Sequence, residues 1–490
     1  MRRAVMAAAV LTASVAVTLT PVTSSAAAPY KGANTAAVQD DFNGDGYRDL
    51  AVGAPGAANG SVAEAGSVVV LYGSKSSVSA TRRTVVTQNT SGIPGTAELG
   101  DEFGTAVTSA DLDRDGYADL IVGAPGEDVG SKRSRGTVTV VWGGSGGLKG
   151  ATAFAPPAGF GDGMTYCGFG MSLATGDMDG DGAPELTVGS RCEGASYTGP
   201  FKRTGTAAST YREPRMGMAL GVVMGDVNGD GRAERFWLPG PTDGDGRGPV
   251  WLDRRGTSVD ETMDNWPLKL PYADGHTGQI GDVNGDGYGD LITGIADDSA
   301  GAARKGGEIQ VLYGSAQGIT AGQKPKVFHQ ATGGVPGTAE KGDRFGWSLG
   351  IGDVDGDGYA DVLVGSPGEG VGTRAWAGTA VLLRGSAAGP TTAKAAAYTQ
   401  NTASVPDTAE AGDEFGAAVH LTDLTGDGRA EAVVGVPGEN TDGLLWTARG
   451  ASTGPVKGGS FDIPGKSAGI TVRNGDARFG AALPGVHVEL

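Results

Sequence analysis

One nonapeptide recurs seven times along the chain, and no other feature restricts the possible folds as strongly. The copies read DFNGDGYRD from Asp41, DLDRDGYAD from Asp111, DMDGDGAPE from Asp177 and DVNGDGRAE from Asp226. DVNGDGYGD from Asp282, DVDGDGYAD from Asp353 and DLTGDGRAE from Asp423 complete the set. Their starts lie 70, 66, 49, 56, 71 and 70 residues apart. A unit of this size cannot bury its own apolar face, so the copies must stack on one another.

The flanks show what each unit is made of. Phe-Gly stands eight residues before four of the loops, at Phe103-Gly104, Phe169-Gly170, Phe345-Gly346 and Phe415-Gly416. After most loops comes a short apolar run ending in Gly, as in Leu50-Ala-Val-Gly-Ala-Pro55 and Val362-Leu-Val-Gly-Ser-Pro367. A further β-branched run follows, such as Gly66-Ser-Val-Val-Val-Leu-Tyr-Gly73. Short runs of this kind, bounded by Gly, predict strands, and no window sustains a helical period. Glycine, 89 of the 490 residues, serves these turns, because no strict G-X-Y period is present. Small antiparallel sheets arranged around an axis protect their edges, so the prediction is an all-β, seven-bladed propeller. That arrangement keeps a chain long enough for several domains in one.

Phe-Gly, an acidic loop, then Gly-Ala-Pro resembles the FG-GAP repeat of integrin α-subunit N-terminal propellers and of secreted bacterial proteins. The resemblance covers nearly all of the chain after residue 28 and is sharpest in blades one, two, six and seven. Blades four and five depart from it. Met218-Ala219 and Asp274-Gly275 replace Phe-Gly, and Leu238-Pro239 and Ile295-Ala296 replace Ala-Pro, so distortion is expected there.

The two ends complement each other. Phe479-Gly480-Ala-Ala-Leu483 is a Phe-Gly strand with no loop after it, and the first loop has no Phe-Gly before it. One blade is therefore expected to be shared between the termini, closing the ring; the alternative is a partial eighth repeat. Residues 1–28 read as a secretory signal peptide, with Arg2 and Arg3, an apolar Ala4–Leu19 and a small Ala26-Ala27-Ala28 site. The other reading, a membrane anchor, needs about 20 apolar residues. Residues 29–490 are then one exported propeller, free outside the cell or at its surface, without a membrane span and monomeric.

Alternating oxygen side chains in each loop suit a hard cation with six to eight oxygen ligands. Positions 1, 3, 5, 7 and 9 are the candidate ligands, position 7 through its carbonyl. They are Asp41, Asn43, Asp45, Tyr47 and Asp49; Asp111, Asp113, Asp115, Tyr117 and Asp119; and Asp177, Asp179, Asp181, Ala183 and Glu185. The later loops supply Asp226, Asn228, Asp230, Arg232 and Glu234; Asp282, Asn284, Asp286, Tyr288 and Asp290; Asp353, Asp355, Asp357, Tyr359 and Asp361; and Asp423, Thr425, Asp427, Arg429 and Glu431. Position 6 is always Gly, which tolerates the sharp turn around an ion. Flexible loops with many ligands favour structural Ca2+, up to seven ions, over Mg2+. Self-bonded Asx turns are the alternative. Thr425 weakens the seventh loop, and the longer Glu185, Glu234 and Glu431 leave theirs less certain.

Cys167 and Cys192, the only cysteines, flank one hairpin of an exported chain. A disulfide is expected there, with two free thiols as the alternative. A net charge of −18 argues against nucleic acid as partner. The four histidines lie at least 53 residues apart, which excludes a helical zinc motif.

Gly143-Gly-Ser145-Gly-Gly147 matches a nucleophile elbow in letters only, because it follows a strand and closes a turn. No catalytic constellation is found, so the chain is expected not to be an enzyme. The first reading is a secreted binding or adhesion module for an extracellular protein or glycan; a secreted propeller hydrolase or lyase is the alternative. In an up-and-down blade the acidic loops share one face, and the connections 126–136, 190–205 and 368–378 are expected on the other. Their Arg133, Arg135, Tyr197, Phe201, Arg374 and Trp376 are candidates for ligand contact. The integrin resemblance points to the same face.

Overall fold

The computed structural model describes residues 38–213, 220–238, 249–253, 267–296, 305–403, 405–455 and 459–485. The expected signal peptide, Met218-Ala219, Pro239 and His487 lie outside the described residues. The described residues form strands and turns, without an α-helix.

Seven antiparallel sheets follow one another along the chain. Blade one has β1 (Leu50–Ala54), β2 (Ser67–Leu71) and β3 (Arg83–Val86); blade two has β4 (Ala106–Ala110), β5 (Asp119–Ala124), β6 (Thr137–Val141) and β7 (Ala151–Phe154). Blade three is β8 (Ser172–Gly176), β9 (Glu185–Gly189), β10 (Gly194–Thr198) and β11 (Ser209–Glu213). Blade four is β12 (Gly221–Gly225), β13 (Glu234–Leu238), β14 (Pro249–Asp253) and β15 (Leu268–Asp274). Blade five is β16 (Thr277–Gly281), β17 (Asp290–Ile295), β18 (Glu308–Leu312) and β19 (Lys326–Phe328). Blade six is β20 (Ser348–Gly352), β21 (Asp361–Ser366), β22 (Thr379–Arg384) and β23 (Thr391–Tyr398), and blade seven is β24 (Ala418–Thr422), β25 (Glu431–Val436), β26 (Leu444–Ala448) and β27 (Ser460–Pro464). The first strands of successive blades pack side by side, which puts them at the axis.

Among the described residues blade one has no inner strand from its own repeat, and segment 480–483 takes that place. Gly480 donates its N–H to Gly53 O at 3.1 Å, and Gly53 donates to Ala482 O at 2.8 Å. Gly104 makes the same bond to Gly123 O inside blade two, and Gly346 to Gly365 O inside blade six. The ring is therefore closed by the two ends of the chain.

The packing explains the repeat's signature residues. A Cβ on Gly53, Gly123, Gly294, Gly365 or Gly435 would run into the carbonyl oxygen of the Phe-Gly glycine of the next blade. Each Phe of that pair is fully buried between blades, as Phe103, Phe169, Phe345, Phe415 and Phe479 show. Apolar clusters fill the seams between neighbouring blades; the one between blades seven and one holds Leu50, Val52, Val433, Phe479 and Leu483.

Blades three and four meet differently. Their small apolar cluster is Ala174, Val222 and Trp237, and beside it a buried Arg235 pairs with Glu213 at 3.0 Å and Asp253 at 2.5 Å. Blades four and five both complete four-stranded sheets despite lacking Phe-Gly. Blade four carries a register shift between Pro249 and Val250. In blade five, Asp274 takes the Phe place and is held by polar bonds, donating its N–H to Gln310 and accepting from Thr293.

Candidate metal loops and the opposite face

Each nonapeptide joins the first and second strands of its blade, or in blade one precedes β1, so all seven lie on one face of the disc. The position-1 Asp organises each loop by accepting backbone N–H groups. In the first loop, Gly44 donates to Asp41 Oδ1 at 2.7 Å and Gly46 to Oδ2 at 2.9 Å. Asp353 holds Gly356 and Gly358 in the same way. The position-6 glycines have φ between 82° and 91°, the left-handed region that disfavours other residues.

Position 9 has a structural role in every loop. Its acid accepts the N–H of position 2, as Asp49 does from Phe42 at 3.0 Å. Where it is Asp, its second oxygen accepts the N–H of a Gly just past the third strand. Asp49 bonds Gly73, Asp119 bonds Gly143, Asp290 bonds Gly314 and Asp361 bonds Gly385, at 2.8–2.9 Å. The longer Glu turns back toward position 3 instead. Glu234 accepts from Asn228 at 2.5 Å, Glu431 from Thr425 at 3.4 Å, and Glu185 lies with Asp177 and Asp179.

These acids are difficult to ionise on their own. Burial, and after it the neighbouring loop carboxylates, push Asp49, Glu185, Asp290 and Glu431 up to about 7 and Asp119 to about 8. Asp361 reaches only about 6 against the same burial, since Arg384 offsets part of it.

The donor set fits a hard cation. Carboxylate oxygens of Asp111, Asp113 and Asp115 lie within 4.8 Å of one another, as do those of Asp177, Asp179 and Glu185, and of Asp353, Asp355 and Asp357. Asp113 Oδ1 and Asp355 Oδ1 are buried without a hydrogen-bond partner, which is costly unless something positive faces them.

Two arginines that sequence reasoning missed grip the outer oxygens of these residues. Arg203 pairs with Asp113 Oδ2 and with Asp115 Oδ2, the latter at 2.6 Å. Arg384 lies 3.2 Å from Asp355 Oδ2 and 3.0 Å from Asp361 Oδ2. Both serve loops with four acids. Arg203 comes from the neighbouring blade, and no local pattern announces such a contact.

The opposite face gathers four of the six ligand candidates. Arg133 and Arg374 are exposed, Arg135 reaches the Phe160 carbonyl, and Trp376 is 40% exposed. Arg344 stands 4.6 Å from the ring centres of both Trp347 and Trp376. Beside it, Arg344, Trp347, Glu414 and Arg478 line a cavity of about 60 Å³ near the axis.

Tyr197 and Phe201 are corrections. Tyr197 is on β10, buried against Phe154 and Phe169, with its hydroxyl donating to Ala155 O at 2.8 Å. Phe201 is buried on the metal-loop face, its N–H bonded to Leu112 O at 3.0 Å. The connection after β9 ends at residue 193, beside the disulfide Cys167–Cys192, so the rest of 190–205 is strand and return loop. Ser145 is exposed in the turn between β6 and β7, with no helix after it.

Comparison with known proteins agrees with this geometry. A family model described as FG-GAP repeat matches residues 33–71, 103–141, 345–383 and 415–456. Phosphatidylinositol-glycan-specific phospholipase D of Mus musculus is 31% identical over 187 residues, 38% of this chain and 21% of that protein. Integrin alpha-5 of Xenopus laevis is 34% identical over 155 residues, 30% of this chain and 14% of the integrin. Integrin alpha-IIb of Mus musculus is 33% identical over 178 residues, 35% of this chain and 16% of the integrin. The aligned stretch is thus about a fifth or less of each relative's length.

Proposed function

Starting from a seven-bladed β-propeller built on FG-GAP repeats, homologous to integrin alpha subunits and to phosphatidylinositol-glycan-specific phospholipase D, we propose an exported binding module stiffened by calcium. Its ligand, an extracellular protein or glycan, docks on the face away from the nonapeptide loops. The observation that carries this reading is the division between faces. One holds every acidic loop; the other presents Arg344 between two tryptophans, beside exposed Arg374. Aromatic and Arg side chains of this kind supply most of the energy at binding hot spots.

In this reading residues 1–28 are removed on export and residues 29–490 form one monomeric propeller. Ca2+ sits among positions 1, 3, 5, 7 and 9 of the loops, neutralising position-9 carboxylates that burial makes difficult to ionise. A pull-down with the purified chain from the producing cell's surface and medium tests the reading. Recovery of a partner that an Arg344→Ala, Trp376→Ala variant no longer retains is the expected outcome; equal recovery by both overturns the assignment of the face.

A second reading rests on the relatives that are named as a phospholipase D. It makes the chain part of a hydrolase, and turnover of phosphatidylinositol-glycan, cell-wall glycan or ester substrates by the purified protein would favour it over the binding module.

A further inference from the structure

The crossovers between blades carry a second repeated constellation, on the face away from the nonapeptide loops. Gln88 follows β3, Asp101 stands two residues before Phe103, and Glu127 follows β5. Gln330, Asp343 and Glu369 repeat this spacing between blades five and six, and Gln400, Asp413 and Glu439 between blades six and seven. In each copy the Gln Nε2 donates to the Glu, at 2.6 Å from Gln400 to Glu439. The Asp accepts the N–H of Glu98, Glu340 or Glu410, three residues before it.

The three glutamines are only 4%, 3% and 1% exposed, and the Oε1 of all three has no hydrogen-bond partner. An orphaned buried amide oxygen is costly, so its recurrence at three equivalent places requires a reason. Between blades five and six the oxygens visibly converge. Gln330 Oε1, Asp343 Oδ2 and the Glu340 carbonyl all lie within 3.2 Å of the point where a Cβ on Gly306 would stand. Ala65 and Ala377 hold that place in the other two copies, which leaves the Gln330 copy the most open.

The fold itself does not require acids at these positions. Between blades seven and one their places are taken by Ala57 and Ala477, both fully buried. Between blades two and three Cys167 takes the Asp place, and its disulfide to Cys192 links the two segments. The acid beside that bond, Glu193, is matched by Arg212 at 3.0 Å. One junction is thus apolar and one covalent. Three instead bring two carboxylates and a bare amide oxygen together. Burial, followed by the adjacent Asp, holds Glu127 and Glu439 up at about 7, and Glu369 reaches about 7 for the same reasons.

We propose that each of these three junctions binds a hard divalent cation through the Gln Oε1 and the Asp and Glu carboxylates, clamping one blade to the next; at the entry to blade three the Cys167–Cys192 disulfide stands where the Asp and Glu segments would meet. Oxygen donors alone, with no sulfur or imidazole, select Ca2+ or a similar ion over the transition metals.

Equilibrium dialysis with radiolabelled Ca2+ at pH 8 tests the proposal by difference. The Glu127→Gln, Glu369→Gln, Glu439→Gln variant should bind three fewer ions per chain than the unmodified protein, and Glu369→Gln alone should bind one fewer. Glu98→Gln, at an exposed acid near the first copy, should bind the full number. Because the count is a difference, it does not depend on how many nonapeptide loops are filled. Equal counts for all four proteins overturn the proposal. If the triple variant fails to fold, the single Glu369→Gln decides: loss of one ion supports the site and an unchanged count removes it.

Discussion

Asp290 Oδ1 accepts the N–H of Gly314 at 2.9 Å, bolting the fifth nonapeptide loop to the far end of the third strand of its blade. Its other oxygen accepts the N–H of Val283, so one carboxylate satisfies two backbone donors in the core. Asp290→Ala should therefore cost about 2–4 kcal/mol even under chelation, because two buried donors lose their partner. Asp286→Ala, at an exposed position 5, should matter only when calcium is present. Urea melts of both variants with Ca2+ and with EDTA check this; a loss in Asp290→Ala that vanishes under EDTA would show that position 9 only ligates metal.

Removing metal should weaken the whole disc. Ions that bind only the folded chain stabilise it by mass action, and stripping several should lower the melting temperature by about 5 °C or more. Added Ca2+ should restore the melt. An unchanged melt, with elemental analysis confirming removal, would refute a structural role for the loops.

Ring closure can be broken at one residue. Phe479 is fully buried and positions the inner strand of blade one, so Phe479→Ala should cost about 3–5 kcal/mol. Gly435→Ala should be comparably damaging, since its Cβ would strike the Gly480 carbonyl oxygen. Limited proteolysis should then cut first in blade one. Cutting elsewhere at the rate of the unmodified protein would mean that segment 480–483 is dispensable.

Metal-free protein should lose stability as pH rises. Glu127, Glu369 and Glu439 move from 4.5 to about 7 on folding, so the folded chain holds their protons more tightly than the unfolded chain. Their contribution is complete below about pH 4.5 and is lost as pH climbs through about 7. The position-9 acids act in the same direction. The melting temperature under EDTA should fall across this window, less steeply in the triple Glu→Gln variant and less steeply with saturating Ca2+. A melt that rises with pH under EDTA contradicts the assignment.

At the proposed ligand face, Arg374→Ala with Trp376→Ala should weaken partner binding at least tenfold, about 1.4 kcal/mol. The melt should stay within a degree, because both side chains are exposed. Unchanged affinity would move the binding surface elsewhere.

The architecture was legible because its causes are local. A Gly that must take positive φ at position 6, and a Gly whose Cβ would strike the next blade, are forced into the sequence at every repeat where the geometry holds. Phe479-Gly480 announced the closing strand for the same reason. Tyr197 and Phe201 were misplaced because nothing local shows that the second connection of blade three stops at residue 193, after which the chain enters β10. Arg203 and Arg384 went unseen for a different reason: their partners, Asp113 and Asp355, are distant in sequence, and an arginine's reach leaves no periodicity. The Gln–Asp–Glu spacing was visible three times, but only burial revealed that the amide oxygens lack partners.

The bond from Gly480 to Gly53 also dictates the order of assembly. Every other blade can form its inner hairpin from neighbouring residues, whereas blade one must wait until the intervening six have brought segment 480–483 round to it. Closing so long a loop adds little to the equilibrium cost, about 0.6 kcal/mol for each doubling of its length. It weighs instead on the rate, since non-local pairings fold slowly. Until that bond forms, β1 remains an uncovered edge able to pair with a second chain. The interval before closure is thus when this protein is most exposed to misassembly, and the closed ring, which leaves β1 no free edge, ends that exposure.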